Sequence, residues 1–568
     1  MTRRLGVSEV PESTTVLVVG GGPIGLIASI LLAQQGINHV VVESRTDAQT
    51  APAAHVVNAR TFEIFRGAGV DMEQIERACQ PVADGAWVRW VTTLAGEELG
   101  RVPFENLNRI DELYGITPTP LRNLSQHHLE PILRDHVSSL VGGVSWISDA
   151  VTETGVLSTL QDVVTGDERT IESAYVIAAD GAGSKVRDHH GIAMEGPESL
   201  QAFIMIHAHV DLRHVVGERP ATLYWPLDPR AAGTFVAHDL ASEWVYMHIW
   251  DPELEPFETF TTERCEEIFK AATGTDDMEL TIATFRPWRM SSQIAEHYAD
   301  GRVFLVGDAA HRFPPSGGMG LNTGAGDVHN LVWKLAGVEN GWAEELLLAS
   351  YEPERRPVAV ANADESLENA MRMFEVFAAA GVGASIEESI ANFEAIVASE
   401  DGRNVIASAA QDQAEHFDML GLQLGYRYEP NGWAVIDDGT TPPHVANVVR
   451  EYAPSTVPGV RMPHAWVERD GGRISTLDLV NHDRFVLLTA SHELADFARS
   501  MNKTSVPFSV IEVGRDVTDG DGLWRDASGL GDDGAIVIRP DGHVAWRGSG
   551  MQSAENLMKI LEDLGGTK

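Results

Sequence analysis

Residues 16–25 read Val-Leu-Val-Val-Gly-Gly-Gly-Pro-Ile-Gly, and this stretch decides the fold of the 568-residue chain. Four apolar residues of the kind found in buried parallel strands run into a glycine-rich turn, and a helix of small and apolar residues follows. Gly36 ends that helix, and a second strand, Val40-Val41-Val42, stops at Glu43. The pattern predicts a strand, a helix and a parallel second strand.

The glycines of this turn have the spacing Gly20-x-Gly22-x-x-Gly25, and Glu43 lies about 20 residues beyond them. This is the dinucleotide-binding fingerprint, in which glycines let backbone N–H groups approach a pyrophosphate and the acid accepts hydrogen bonds from a ribose. Without its flanking elements the motif would be an ordinary glycine turn. With strand, helix and acid in place, it predicts a bound dinucleotide but does not separate FAD from NAD.

Two further apolar runs end in the same way. Tyr175–Ala179 stops at Asp180, and Arg302–Val306 stops before Gly307 and Asp308. Ligands of open α/β sheets bind at the carboxyl ends of strands, so Asp308 is placed to reach ribityl or ribose hydroxyls. The turn after Asp180 could equally be a plain connection between a strand and a helix.

A glycine- and proline-rich loop, residues 314–321, follows the third run and leads into a predicted helix over 322–336. Asn322 or Thr323 is the expected N-cap. The positive end of such a helix would stabilise the negative charge of a reduced flavin, which favours FAD as the dinucleotide.

The charge balance excludes several classes of protein. The chain has 83 acidic and 42 basic residues, a formal net charge of −41. Such a surface repels nucleic acid and anionic lipid, and we interpret it as a well-hydrated surface. Only two cysteines occur, which excludes a disulfide framework and fits a reducing cytoplasm. The apolar stretch 16–33 is interrupted by glycines, and we expect neither a membrane anchor nor a signal peptide.

The predicted architecture is α/β, or α+β overall, with a Rossmann-like FAD-binding domain of the glutathione-reductase type. Residues 200–285 are rich in aromatics and alternate in polarity, which predicts an antiparallel sheet in a substrate-binding domain. Proline and glycine cluster over 429–460, and strand-like runs follow. The predicted division is: FAD-binding domain, 1–85, 115–195 and 286–400; substrate-binding domain, 86–114 and 196–285; helical segment and linker, 401–455; small C-terminal α/β domain, 456–568.

Taken together, these motifs resemble the single-component FAD-dependent aromatic hydroxylases, the class A flavoprotein monooxygenases. The resemblance spans nearly the whole chain and is greatest for the phenol, 2,4-dichlorophenol and 2-hydroxybiphenyl hydroxylase branch. It rests on the glycine turn, the Asp180 turn and the segment 301–324. Additional matches are Asn58-Ala59-Arg60-Thr61-x-Glu63, Asp327-x-x-Asn330-Leu331-x-Trp333-Lys334, Tyr351-Glu352-x-Glu354-Arg355-Arg356-Pro357 and the segment 473–479. It implies a thioredoxin-like third domain lacking redox cysteines, and no cysteine follows residue 450.

The resemblance also implies roles for individual residues. Bound FAD would contact Gly20, Gly22, Pro23, Gly25, Glu43, Gln126, Asp180, Asp308, Pro315, Gly318, Gly320, Leu321 and Asn322. The candidate catalytic residues are His55, as base for a phenol hydroxyl, and Pro315, in the loop beside the flavin ring. The alternative for His55 is a loop histidine bonded to the backbone. The predicted substrate pocket comprises His55, Tyr224, Trp225, Tyr246, Trp288 and Pro315.

Two features qualify this picture. Relatives often carry arginine where this chain has Ala53, and there it contacts the cofactor or supports flavin movement; Arg45 is a possible substitute. His207-x-His209-x-Asp211 places three possible ligands on one strand face, but we interpret it as an ordinary sheet face and expect no metal.

The expected activity is hydroxylation of a phenolic ring, ortho to its hydroxyl, by way of a flavin C4a-hydroperoxide. The single fingerprint implies that FAD stays bound, while NADPH or NADH visits transiently and O₂ is the co-substrate. A homodimer is implied by the resemblance alone. One alternative is a polyketide- or antibiotic-tailoring monooxygenase that performs hydroxylation, epoxidation or Baeyer–Villiger chemistry. Another is a flavin-binding protein without turnover.

Overall fold

The computed structural model describes residues 6–104, 107, 110–383, 385–500, 506–550 and 559. Strands in this part of the chain are numbered β1 to β26: Ser13–Val19, His39–Glu43, Val56–Val57, Trp87–Val91, Glu98–Pro103, Arg122–Asn123, Leu140–Gly142, Val144–Val151, Val156–Asp162, Glu168–Ala178, Met194–Glu195, Gln201–His209, Leu223–Pro226, Gly233–Asp239, Glu243–Trp250, Thr281–Met290, Gln293–Ala295, Ala299–Asp300, Val303–Leu305, His311–Arg312, Trp466–Arg469, Gly472–Ser475, Phe485–Thr489, Phe508–Glu512, Gly534–Ile538 and Val544–Ser549.

The α-helices of the same residues are numbered α1 to α16. They are Pro23–Gln34, Ala59–Gly67, Met72–Ala78, Val82–Gly85, Ile110–Leu113, Gln126–Asp135, Lys185–His189, Arg213–Val216, Thr262–Thr273, Met319–Glu339, Tyr351–Ala379, Ile386–Ala398, Glu400–Gln411, Leu420–Leu424, His492–Ser500 and Leu523–Ser528. Among these residues, none of the helices combines the length and the apolar character needed to cross a membrane.

The first sheet has eight strands, with the main order β18-β19-β10-β1-β2-β7. The pairings from β19 to β7 are all parallel, as the sequence predicts for a Rossmann-like domain. Because these strands run the same way, the residues that follow β1, β2, β10 and β19 meet at one edge. Helices α1 and α10 pack together over this sheet. A Cβ on Gly324 of α10 would lie 2.9 Å from the Cα of Gly307, so only glycine permits this approach.

The second sheet has seven strands in the order β16-β12-β15-β14-β13-β4-β5. It is antiparallel, as predicted, except for one parallel pairing between β4 and β13. These two strands are separated in the chain by residues 92–222, which include part of the FAD-binding domain, so no hairpin fixes their relative direction. Strand β16 crosses the predicted boundary at 285/286 and leads directly into the first domain.

The C-terminal sheet has the order β24-β23-β25-β26. Strands β23 and β24 are parallel, whereas β25 is antiparallel to both of its neighbours. This arrangement is thioredoxin-like, as predicted. The predicted linker, 429–460, contains no helix or regular strand. Residues 501–505, 551–558 and 560–568 of the predicted domain lie outside the described residues.

Buried charges attach the C-terminal domain to the rest of the molecule. Glu354 of α11 accepts hydrogen bonds from Lys334 Nζ of α10 at 2.8 Å and from Arg539 Nη1, after β25, at 2.9 Å. Glu63 of α2 pairs in the same way with Arg461 and Arg60. All of these side chains are almost completely buried. The charged residues in the segments after Asn58, Asp327 and Tyr351 therefore dock one domain onto another.

Candidate active site

A cavity of about 720 Å³ lies between the carboxyl edge of the parallel sheet and the second sheet. Most of the predicted site residues line it: Gly20, Gly22, Pro23, Glu43, His55, Gln126, Asp180, Trp288, Asp308, Pro315, Gly318, Gly320 and Leu321. Gly25, Asn322, Tyr224, Trp225 and Tyr246 do not. Residues from seven separate parts of the chain thus converge on one cavity.

The glycine turn has the geometry that a pyrophosphate requires. Gly20 has φ +107°, and a Cβ there would lie 2.2 Å from the carbonyl oxygen of Ala179. A Cβ on Gly25 would lie 1.9 Å from the Gly20 carbonyl oxygen, so Gly25 acts beneath the turn rather than in the cavity. No protein atom lies within 4 Å of a Cβ built on Gly22. The protein therefore packs closely against the turn at Gly20 and Gly25 and leaves space beside Gly22, which fits a dinucleotide.

Glu43 is held at the end of β2 by the turn itself. Its carboxylate accepts hydrogen bonds from the backbone N–H groups of Gly21, at 2.7 Å, and Arg45, at 2.9 Å. Burial alone would raise the pKa of Glu43, but these hydrogen bonds and the Arg45 guanidinium hold it below its ordinary value. Glu43 is consequently an ionised acceptor facing the cavity. Arg45, the possible substitute for an arginine at position 53, is tied to Glu43 and Gln49.

The two aspartates that follow β10 and β19 differ in their surroundings. Asp180 accepts hydrogen bonds from Ser184 Oγ at 2.6 Å and from the Val186 N–H at 3.2 Å, so it shapes the turn into α7. Within the described residues, the Asp308 carboxylate has no hydrogen-bond partner, although it lines the cavity. Enclosure by the protein raises the pKa of Asp308. Of the two, Asp308 is the acceptor that remains available to ligand hydroxyls.

Helix α10 begins earlier than the sequence indicated. Its N-cap is Gly318, with φ +63°, and its first residue is Met319, so the prediction of a cap at Asn322 or its successor is wrong. The Asn322 side chain has another use, since it donates to the Val56 carbonyl at 2.9 Å and accepts from the Asn58 N–H at 3.0 Å. It fastens the glycine loop to the segment that carries His55. The first turn of α10 lines the cavity and directs the positive helix end there.

His55 lies at the cavity wall, immediately before β3. Its Nδ1 lies 2.8 Å from Asn123 Oδ1, and Asn123 Nδ2 in turn donates to Gln80 Oε1 at 2.6 Å. This network assigns the proton to Nδ1 and leaves the Nε2 lone pair free to act as a base. Burial lowers the pKa of His55, partly offset by the Asn123 hydrogen bond. The ring is therefore neutral at pH 7, and it is bonded to a side chain rather than to the backbone.

Three of the predicted pocket aromatics lie elsewhere. Tyr224 and Tyr246 point to the far face of the second sheet, where their hydroxyls donate to the carbonyls of Arg219 and Ala231. Trp225 faces the other way but is stacked on Trp90 at 5.2 Å and covered by residues of the helical segment. These residues form cores on either side of the sheet.

Three other residues at the cavity were not predicted from the sequence. Met205 and Met247, on β12 and β15, contribute an apolar wall, and Arg286 of β16 lies beside them. The Arg286 guanidinium is 3.5 Å from the Pro52 carbonyl, and burial lowers its pKa. It lies next to Ala53, where the expected arginine is missing. Strand alternation predicts that such residues share a face, but not that this face is the one exposed to the cavity.

The chain belongs to the family of FAD-dependent aromatic-ring hydroxylases. A family model described as "FAD binding domain" matches residues 13–366. A second, described as "Aromatic-ring hydroxylase, C-terminal", matches residues 455–567. The protein accordingly binds FAD, and use of NAD(P)H is typical of this family.

Individual relatives divide between two kinds of substrate. A putative polyketide hydroxylase of Streptomyces halstedii is 33% identical, over 96% of this chain and 95% of the relative. The 2,4-dichlorophenol 6-monooxygenase of Delftia acidovorans is 31% identical, over 96% and 98%. The crystal structure of the flavin-dependent monooxygenase PieE with FAD and substrate has a TM-score of 0.91 and 32% identity, over 98% of this chain and 100% of that one. The family relationship therefore defines a flavin-dependent monooxygenase.

Proposed function

We propose that this enzyme hydroxylates a phenolic ring at the position next to its hydroxyl, with O₂ as oxygen donor and NAD(P)H as reductant. The observation that carries the proposal is His55, a neutral imidazole at the cavity wall with its Nδ1 proton committed to Asn123. A base in this position is useful for a substrate that must lose a hydroxyl proton before its ring becomes sufficiently electron-rich.

Bound FAD supplies the transfer of electrons from NAD(P)H and the activation of O₂. Gly20, Gly22 and Glu43 would hold its dinucleotide part, and Asp308 its hydroxyl-bearing chain. The protein contributes binding, orientation and electrostatics around this group.

His55 Nε2 accepts the phenol proton, and Asn123 Oδ1 stabilises the resulting imidazolium through the Nδ1–H hydrogen bond. Negative charge then develops on the phenol oxygen, and the ring carbon beside it becomes the nucleophile. The apolar wall of Met205, Met247 and Trp288 keeps water from the reacting atoms. The positive end of α10 stabilises negative charge in the cavity.

A fused-ring phenol, such as an aromatic polyketide, is the second candidate substrate. It is favoured by the similarity over the full chain to polyketide hydroxylases and by the TM-score of 0.91 to PieE. The same base and the same cavity residues would act on it. The two proposals differ in the size of the ring system, not in the chemistry.

The test follows NADH and NADPH oxidation with monocyclic and fused-ring phenols while hydrogen peroxide and hydroxylated product are quantified. The matched control is the methyl ether of each phenol, which has no proton for His55 to remove. Product equal to the reductant consumed, from phenols but not from ethers, supports the proposal. Product from fused rings alone supports the second candidate. Equal turnover of ethers, or oxidation that never yields product, would overturn both.

A further inference from the structure

A second polar centre lies outside the cavity, where helix α6 of the FAD-binding domain meets strands β12 and β15 of the second sheet. It consists of His127, His128, His207 and Glu243, which we call the histidine cluster, with His209 beside it. From the sequence alone, only His207 and His209, on β12, were identified as possible ligands on one strand face. Glu243 arrives from the neighbouring strand, where it pairs with His209, and the other two histidines come from the first turn of α6.

Three imidazole nitrogens converge on one carboxylate. The Nε2 atoms of His127, His207 and His128 lie 2.9, 3.0 and 3.2 Å from oxygens of Glu243. The ligand atoms of His127, His128 and Glu243 all lie within 4.8 Å of one another, and the same holds for His207, His209 and Glu243. His127 and His128 of α6 therefore form one group of possible ligands with Glu243 of β15, while His207 bonds the same carboxylate from its own strand.

We propose that the histidine cluster binds a divalent transition-metal ion, Zn²⁺ in particular, through His127, His128 and Glu243, with His207 holding the Glu243 carboxylate in place. Imidazole nitrogen with one carboxylate is a donor set that zinc prefers, whereas Mg²⁺ and Ca²⁺ prefer oxygen. Two ligand atoms at the usual zinc distance of about 2.0–2.1 Å in a tetrahedron are about 3.3 Å apart. The observed separations of 2.9–3.2 Å between the imidazole nitrogens and Glu243 oxygens are close to that value.

The surroundings also fit a metal site. Ser125 Oγ lies 2.7 Å from His127 Nδ1, so it can orient that ring from behind, as outer partners of zinc-bound histidines do. The His128 side chain is 45% exposed, whereas Glu243 is 9% exposed. The site is thus enclosed on the protein side and open to solvent at His128, which gives an ion a path of entry.

A metal here would join the two domains that enclose the cavity. His127 directly follows Gln126, which lines the cavity, and Glu243 lies on β15, the strand that carries Met247 to the cavity from the second sheet. An ion held by both would fix the distance between the cofactor side and the substrate side. Binding should therefore raise the thermal unfolding midpoint of the holoenzyme.

The test uses the FAD-loaded full-length protein, stripped with a chelator and dialysed against Zn²⁺ or Mg²⁺, with metal content measured by mass spectrometry. The expected result is about one Zn²⁺ per chain and no Mg²⁺. Bound Co²⁺ should give visible absorption at longer wavelength than the flavin. His127→Gln and Glu243→Gln should each weaken Zn²⁺ binding by about 100-fold or more.

Because the side chains of His127 and Glu243 are nearly buried, the partly exposed His128→Gln serves as a variant that will fold, with an expected loss of about 100-fold. His214→Gln is the matched control, since His214 is exposed and, among the described residues, its ring bonds only the Asp277 carbonyl. His492→Gln removes a separate surface cluster in the C-terminal domain. Absence of bound Zn²⁺, unchanged affinity in both His128→Gln and Glu243→Gln, or loss only in His492→Gln would overturn the proposal.

Discussion

Replacing His55 with glutamine removes the proposed base and keeps an amide that can still bond Asn123. At pH 7 a phenol with a pKa near 10 is ionised in only about one molecule in a thousand. Without a base, hydroxylation depends on that fraction, so the rate should fall by up to about 1,000-fold. This corresponds to about 4 kcal/mol of transition-state stabilisation, within the range for general-base catalysis.

The pH dependence separates this role from a structural one. Since burial lowers the pKa of His55, the wild-type ring is already neutral at pH 7, and its rate should fall only on acidification. The His55→Gln rate should instead rise about tenfold per pH unit towards the pKa of the phenol. The assay is the initial rate of hydroxylated product at saturating phenol between pH 6 and 9.5, with FAD content measured in parallel.

His297→Gln is a suitable control, because the His297 side chain is 60% exposed and lies near Glu352, away from the cavity-lining residues. It should leave both rate and profile unchanged. A His55→Gln enzyme with the wild-type rate and the wild-type pH profile would refute the assignment of the base.

Three further predictions concern the cofactor, the domain interface and the thiols. Gly22→Ala should lower FAD affinity about tenfold or more. It should not reduce stability, because a Cβ at Gly22 meets no protein atom. A Cβ at Gly520 also meets none, so Gly520→Ala is the control and should leave FAD titrations unchanged. Glu354→Gln should destabilise the protein to urea by about 3–5 kcal/mol by leaving buried cations unpaired. In the wild type, burial opposes ionisation of Glu354, but the adjacent cations lower its pKa to about 2. The stabilisation by Glu354 should therefore be complete above about pH 4.5 and fade as the pH falls towards 2. This loss would be measured as a falling midpoint of unfolding. Burial raises the pKa of Cys79 to about 12 and of Cys265 to about 11, so a disulfide reagent at pH 8 should modify neither thiol until the protein is denatured.

The part of the site that depends on local sequence is predictable. The glycine turn, the strands on either side of it and Glu43 follow from spacing, because a turn that needs φ +107° at Gly20 and close packing at Gly25 admits few residues other than glycine. Parallel pairing then brings Asp180 and Asp308 to the same edge without further information.

Features that depend on distant partners are not predictable in this way. Trp225 is covered by Phe417, almost 200 residues later, and nothing around Trp225 indicates that cover. Helix α10 starts at Met319 rather than near Asn322, and the Asn322 side chain bonds residues 56 and 58 instead of capping the helix. Glu63 belongs to a recognisable motif, but its partner Arg461 shows that the motif serves domain docking.

Hydroxylation with O₂ is tested most directly by turnover of the purified enzyme with a phenol, NAD(P)H and ¹⁸O₂, followed by mass spectrometry of the product. We expect one ¹⁸O atom in each product molecule, on the carbon beside the original hydroxyl, and an equal amount of NAD(P)⁺. Label found only in hydrogen peroxide, or product oxygen derived from water, would contradict it.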